Sequence, residues 1–520
     1  MSQETAEFSK WRGFFWPIHS FEMKKVLPMF FMLFLIVFNY TILRDTKDTL
    51  VVNEAGAAAI PFLKLWGVVP GAIIFMLIYS KLSNILSKTA LFYAAITPFL
   101  IFFALFGLVI YPYKEFLEPV ALTDAMKNYF QWEGLNHFIN CIRHWPVSVF
   151  YVSSELWGSA CVSLLFWGFA NDITKVAESK RFYAVFLIGA NLALLFSGPV
   201  IILSSSLTRN AAAGVDPYIQ ANYWLMSMVI ISGLVTMYLY NYMQKNVMTD
   251  PRFVAQEGEK KKKKDKPKMG LFESFSYLAK SPYILCLATL VIAYGISINV
   301  VELTWKAQLK IQYPLKNDYQ IFMGYFSLVT GIVTLFMLTF VSGNVIRKKG
   351  WGFAALVTPV VLFFTGIAFF SFIIFRDSLS GMIVAMGTNP VFLAVLIGAV
   401  QNIMSKSSKY SLFDPTKEMA YIPLDQEQKV KGKAAIDVVC ARLGKSGGAF
   451  VQMVLILALG GITSSFIYFV AATFMLIIAA WVSATISLNH KFVALTTKKD
   501  EEKKPEVSGA TGGPALAPAK

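Results

Sequence analysis

The chain has 520 residues, 56% of them hydrophobic, 15% aromatic and only 15% charged, and its mean hydropathy is +0.56. This composition excludes an ordinary soluble globular protein and describes a polytopic membrane protein. The net charge of +16 invites a nucleic-acid reading, but the charge is distributed with the membrane segments, and no nucleic-acid partner is expected.

A spanning helix needs about 20 apolar residues, and the chain offers about twelve such windows. They lie near 26–44, 60–80, 90–112, 147–170, 182–205, 221–243, 282–304, 320–342, 353–375, 390–408, 436–460 and 462–488. Continuous apolar runs such as Phe99-Leu100-Ile101-Phe102-Phe103-Ala104-Leu105-Phe106 argue against a β-barrel, whose strands alternate apolar and polar residues. The expected fold is therefore an all-α polytopic membrane protein of about twelve transmembrane helices in the lipid bilayer. Residues 1–25 precede the first span. They carry Glu4, Glu7 and Glu22 and no signal- or transit-peptide pattern.

At the exit of the first window stand Arg44, Asp45, Lys47 and Asp48. A charge near the bilayer centre costs about 2.5–3.5 kcal/mol on insertion scales, so those that occur usually face a water-filled path. Basic residues gather in the loops after even-numbered spans: Lys81 and Lys88, then Lys175, Lys180 and Arg181, Lys260 to Lys268, Arg347 to Lys349, and Lys406 to Lys433. The positive-inside rule makes these loops, and both termini, cytoplasmic. The loop 113–146 on the other side carries Glu115, Glu118, Asp124 and Glu133.

Glu155 stands alone among apolar and small residues in the fourth span. It is either a functional intramembrane acid or a structural partner of a basic residue.

The segment Phe92-Tyr93-Ala94-Ala95-Ile96-Thr97-Pro98-Phe99-Leu100-Ile101-Phe102-Phe103 returns as Phe353-Ala354-Ala355-Leu356-Val357-Thr358-Pro359-Val360-Val361-Leu362-Phe363-Phe364, with six of the twelve positions identical. Near the same offset Gly71 answers Gly331 and Lys47 answers Lys306. These correspondences indicate two parallel six-helix repeats, 26–243 and 282–488. A basic cytoplasmic linker, 244–281, joins them, and a tail, 489–520, reads as disordered. The lysine run in the linker is a solvated connection or a lipid-headgroup contact. The duplication is major-facilitator-like, although Ser80-Lys81-Leu82-Ser83-Asn84 lacks the Gly-x-x-x-Asp-Arg-x-Gly-Arg-Arg signature of that class.

In the seventh span Glu302 and Lys306 lie four residues apart on one helix face, so mutual pairing is the plain alternative to a role in the path. The eleventh span carries Arg442 and Lys445 beside Gly444, Gly447 and Gly448. Gly444-Lys445-Ser446 is not a P-loop, because the first glycine of that motif would fall on Val439 and no strand precedes it. Small residues here permit close helix approach. The cations Arg44, Lys47, Lys306, Arg442 and Lys445 describe a basic cavity suited to a polyanion, with Asp45, Asp48, Glu155, Glu302 and Asp437 as their partners when it is empty. Four cysteines and four scattered histidines form no disulfide, metal or nucleophile–base spacing, so neither an enzyme nor a bound cofactor is expected.

Several segments carry a specific resemblance. Asn39-Tyr40-Thr41-Ile42-Leu43-Arg44-Asp45-Thr46-Lys47-Asp48, Glu155-Leu156-Trp157-Gly158-Ser159, Phe166-Trp167-Gly168-Phe169-Ala170-Asn171, Ala293-Tyr294-Gly295-Ile296-Ser297-Ile298-Asn299, Lys409-Tyr410-Ser411-Leu412-Phe413-Asp414-Pro415, Lys417-Glu418-Met419-Ala420-Tyr421-Ile422-Pro423-Leu424 and Leu443-Gly444-Lys445-Ser446-Gly447-Gly448 resemble the ATP/ADP translocase (nucleotide transporter) family of obligate intracellular bacteria and plastids. The resemblance runs from about Phe21 to Leu488. It implies exchange of ATP for ADP, in some members with phosphate, and gives functional weight to Lys47, Glu155, Glu302 and Lys445. Within that family, the absence of a plastid-type transit peptide favours a bacterial inner-membrane protein. Arg44, Lys306 and Arg442 are added as substrate-binding candidates, and Tyr151, Trp157 or Phe166 as adenine-stacking ones. The alternative within the family is a proton-coupled or broader-specificity nucleotide importer.

Overall fold

The computed structural model describes residues 17–209, 216–250, 253, 281–425, 428, 432, 433 and 435–502. Among them all regular structure is helical, and eleven helical stretches are long and apolar enough to cross a membrane. One of these, Lys316–Ala385, has 70 residues. At 1.5 Å per residue it would measure about 105 Å, against about 30 Å of hydrocarbon. It divides at Gly350, whose φ of 80° and ψ of 174° lie outside the helical region. Glycine adopts that φ without a side-chain clash, and the exposed Arg347, Lys348 and Lys349 lead into the turn. The result is twelve spans, matching the sequence windows.

The first six are Ser20–Glu54, Ala57–Ile85, Lys88–Ile110, Trp145–Ile173, Arg181–Leu207 and Pro217–Val247. The second six are Pro282–Gln312, 316–349, 351–385, Pro390–Ala420, Ala441–Leu459 and Ser464–Thr497. Several boundaries differ from the sequence reading. The first helix does not stop at the charged run but continues to Glu54, with Asp45 to Val52 buried among neighbouring spans. The last helix continues to Glu502, into the segment read as a disordered tail. Lys260 to Lys268 and the residues after Glu502 lie outside the described residues.

Small residues let the two halves approach. A Cβ on Gly198 in the fifth span would lie 2.8 Å from the Gly324 carbonyl oxygen in the eighth, and one on Gly331 would lie 2.9 Å from Leu194 Cβ. Within the second half, a Cβ on Gly295 would meet the Gly444 carbonyl carbon at 2.7 Å. The glycines beside Lys445 thus press the eleventh span against the seventh.

Apart from the centre of the molecule, polar ties between the halves among the described residues lie at one end. There Lys316 reaches Glu54 at 2.6 Å and Asp216 at 3.0 Å, Arg209 meets Asp318 at 3.1 Å, and Lys310 donates to Asn53 at 2.6 Å. Lys114 joins Glu54 as well, and burial pushes its ammonium below the ordinary lysine range. The loop 113–146 folds over this end as two short helices, Val120–Phe130 and Glu133–Arg143. Trp132 Nε1 donates to the Leu457 carbonyl at 2.9 Å, and Gly134 lies against the Ile456 and Leu457 backbone.

At the opposite end the ion pairs among described residues stay within one half. Lys25–Glu178 (2.8 Å), Arg181–Glu22 (2.6 Å) and Lys88–Asp172 (2.6 Å) belong to the first half. Lys409–Asp414 (2.8 Å) and Lys417–Asp437 (2.8 Å) belong to the second. Among the described residues, cross-half ion pairs seal the Glu54 end, and none is found at the opposite end.

Candidate functional site

Between the two ends, side chains from both halves converge on one carboxylate. Lys47 Nζ of the first span lies 2.8 Å from Asp48 Oδ1, and Lys306 Nζ of the seventh lies 2.8 Å from Asp48 Oδ2. The two lysines that answer each other in the sequence repeat therefore share a partner. Lys47 also meets Glu155 Oε1 of the fourth span at 2.9 Å, and Lys306 meets Glu302 Oε1 at 3.5 Å. Lys406 of the tenth span meets the same Glu302 oxygen at 3.5 Å. Lys47, Asp48 and Lys306 are each only 2–3% exposed, while Glu155 is 27% exposed and Glu302 18%. The two glutamates face open space; the Asp48 bridge lies behind them.

Aromatic packing fixes this bridge. The Lys47 ammonium sits 4.1 Å from the Tyr151 ring centroid, a cation–π contact. Arg44 pairs with Asp45 at 3.0 Å and donates to Ser327 Oγ at 2.8 Å, and Ser327 in turn donates to Asp45. The charge network thus joins the first, fourth, seventh, eighth and tenth spans. Removing one member of such a buried pair strands the other, at a cost of about 3–5 kcal/mol.

Of the expected site residues, Lys47, Arg44, Glu155, Glu302 and Lys306 belong to this cluster. Lys445 is exposed. Arg442 is exposed and has no carboxylate at ion-pair distance among the described residues. Asp437, expected among the cavity acids, instead pairs with Lys417.

The suggested adenine-stacking residues Tyr151, Trp157 and Phe166 are all fully buried. Trp157 is enclosed by Phe99 and Phe103 and donates to the Ile36 carbonyl at 3.2 Å. Phe166 is packed against Trp167 and Phe186. None presents a free ring face in this conformation, because each completes a core between helices. Tyr410, beside Lys409 and 47% exposed, is more open.

Two members of the cluster escaped the sequence reading. Lys406 had been assigned to a cytoplasmic basic loop, yet the tenth span continues through it to Ala420. Lys64 is a lone lysine inside the second apolar window, the same kind of signal that singled out Glu155; its Nζ donates to Asn299 Oδ1 across the halves.

Known proteins share both the sequence and the architecture. Residues 1–492 match the family model described as TLC ATP/ADP transporter. "ADP,ATP carrier protein 1" of Chlamydia muridarum is 56% identical over 96% of this chain and 94% of its own length. A chloroplastic "ADP,ATP carrier protein 1" of Arabidopsis thaliana is 49% identical over 95% of this chain and 78% of its own. The corresponding Rickettsia prowazekii protein is 42% identical over 95% and 98%.

Among solved structures, a bacterial homologue of the iron transporter ferroportin in an inward-facing state aligns with a TM-score of 0.54 at 12% identity, over 90% of this chain and 100% of that one. The E. coli xylose transporter in an inward open conformation gives 0.52 at 13% identity, over 90% and 96%. These two likenesses show a shared fold. The family match, which spans nearly the whole chain, and the relatives establish that this twelve-span membrane protein belongs to the TLC ATP/ADP transporter family.

Proposed function

We propose that the protein exchanges ATP for ADP across a bacterial inner membrane by alternating access, without hydrolysing either nucleotide. Both termini are cytoplasmic in this reading, and the end lacking cross-half ties opens to the cytoplasm. The observation that carries the proposal is the Asp48 bridge, which joins Lys47 and Lys306 from opposite halves at 2.8 Å each, within a member of this transporter family.

The bridge supplies a physical reason for exchange. In the empty carrier the lysines are neutralised by Asp48, Glu155 and Glu302, and the Lys306–Asp48 pair holds the halves together. A polyphosphate competes for the same ammonium groups through charge-assisted hydrogen bonds. It thereby loosens the cross-half tie, so reorientation is favoured with nucleotide bound. Lys47, Lys306 and Lys445, with Arg44, would hold phosphate oxygens, while Glu155 and Glu302 re-pair the lysines once the nucleotide leaves. Arg442 is a more distant contributor.

Proton-coupled import is the second reading. It would need Glu155 or Glu302 to take up a proton, which leaves Lys47 and Lys306 more dependent on their shared Asp48 and, at Glu302, leaves Lys406 without an acid. The paired geometry therefore favours exchange. The test is uptake of labelled ATP by proteoliposomes, loaded or not with ADP, with and without a protonophore. Acceleration by internal ADP and indifference to the protonophore support exchange; the reverse pattern supports proton coupling.

A further inference from the structure

Lys64 is left over when the charges of the cluster are paired. Five cations, Arg44, Lys47, Lys64, Lys306 and Lys406, stand with four carboxylates, Asp45, Asp48, Glu155 and Glu302. Each of these cations except Lys64 has a carboxylate within 3.5 Å. Among the described residues the only partner of the Lys64 ammonium is the neutral Asn299 side-chain oxygen. Asn299 stands three residues before Glu302 on the seventh span, about one turn away on the same face, so Lys64 lies beside the cluster.

The local backbone supports a built position. Lys64 is the second residue of a π-helical stretch, Leu63–Val68, a distortion common at functional sites. Its partner is held in place too. Asn299 Nδ2 donates to the Gly295 carbonyl at 2.7 Å, Gln452 donates to the Asn299 carbonyl at 2.8 Å, and a Cβ on Gly448 would lie 3.0 Å from Asn299 Cβ. Asn299 is thus a fixed acceptor on which Lys64 rests.

An ammonium without an acid is expensive inside a membrane protein, and such groups generally serve an ion or substrate. The paired lysines can turn to a polyanion only by giving up a carboxylate. Lys64 gives up only an amide oxygen, and gains hydrogen bonds to charged oxygens that are roughly twice as strong as neutral ones.

We infer that Lys64 is a substrate-binding residue that contacts the polyphosphate of the nucleotide directly. The inference rests on the exchange reading above and adds a residue to its site. A purely structural Lys64 would instead serve as a hydrogen-bonded tie to Asn299, which glutamine can imitate without the charge.

The experiment compares binding of ATP, ADP and AMP to the full-length protein in nanodiscs for the unmodified chain and Lys64→Gln. The expected result is ATP binding weakened about tenfold or more, or about 1.4 kcal/mol, with a smaller loss for ADP and AMP unchanged within about twofold. Unchanged ATP binding, or an equal loss for all three nucleotides, overturns the assignment. A second variant, Lys64→Cys in a background without the native cysteines, is treated with 2-bromoethylamine to rebuild a lysine-like ammonium. Recovery of ATP affinity supports the assignment, and no recovery in folded, fully modified protein overturns it. If the unmodified chain binds none of the nucleotides, the exchange reading itself fails; normal binding there with unaffected Lys64 variants removes only Lys64.

Discussion

The central cluster and the sealed end are both networks of lysines and carboxylates, but they differ in what surrounds them. At the sealed end Lys316, Glu54, Asp216, Arg209 and Asp318 link the halves directly, and the helical hairpin of the long loop lies on the turn after the eleventh span. In the centre the Asp48 bridge is buried, but Glu155 and Glu302 remain partly open and Lys64 lacks an acid. One network is closed over; the other has an open side. Under the proposed function, ion pairing of the same chemistry serves two ends, holding a gate shut and partly offsetting the charge of a binding site until a polyanion arrives.

Substitutions can separate the two networks. The largest effect is expected from Asp48→Asn, which leaves Lys47 and Lys306 facing each other without their shared acid. A loss of about 3 kcal/mol or more in stability should follow, read as a lowered midpoint of thermal unfolding in detergent. Next, Lys47→Gln should reduce ATP/ADP exchange about a hundredfold, equivalent to about 2.7 kcal/mol, measured as initial uptake into ADP-loaded vesicles. A reduction of less than about threefold would place Lys47 outside the binding step.

The sealed end should respond differently. Lys316→Ala removes the ties to Glu54 and Asp216 and should favour opening by about 1 kcal/mol, the size of a partly exposed ion-pair contribution. The readout is a cysteine at Gln320, a fully buried position, in a background without the native cysteines. Its labelling by an impermeant thiol reagent from the Glu54 side should accelerate, with nucleotide affinity unchanged.

The smallest effect is expected at His137. Its Nε2 lies 3.2 Å from the Gly460 carbonyl and its Nδ1 is buried without a partner, and burial pulls the imidazole below the ordinary histidine value despite the neighbouring Glu133. The closed hairpin therefore disfavours the protonated form. Its stabilisation is complete above the ordinary histidine value of about 6.5 and is lost as the pH falls through the lowered one. Labelling at Gln320→Cys, taken relative to a fully exposed reference cysteine at the same pH so that the thiolate fraction cancels, should be modestly faster at pH 5.5 than at pH 7.5, and His137→Gln should abolish the difference.

The sequence disclosed the fold through apolar length and the repeat, because twelve spanning helices leave a signal that is local in the chain. Gly350 shows the limit of a structural count, since the turn it makes is hidden inside one continuous helical stretch yet visible as a basic tripeptide between two windows. Charges inside spans led to Lys47, Glu155, Glu302 and Lys306, and the repeat foretold that Lys47 and Lys306 correspond. That they meet on Asp48 is a distance between helices remote in sequence, which no local pattern encodes. Lys406 was lost to the loop count for the same reason that the first span was ended too early: a charged run buried between helices reads like one in water. Trp157 and Phe166 were overvalued because an aromatic residue near a charge in sequence carries no sign of whether its ring faces the cavity or a neighbouring helix.

The central claim, that bound nucleotide is what releases the cross-half ties, is tested most directly by efflux of labelled ADP from loaded proteoliposomes diluted into buffer with or without ATP. Obligate exchange requires rapid efflux with external ATP and very slow efflux without it. Equal efflux in the two buffers would contradict it, because the empty carrier would then reorient as readily as the loaded one.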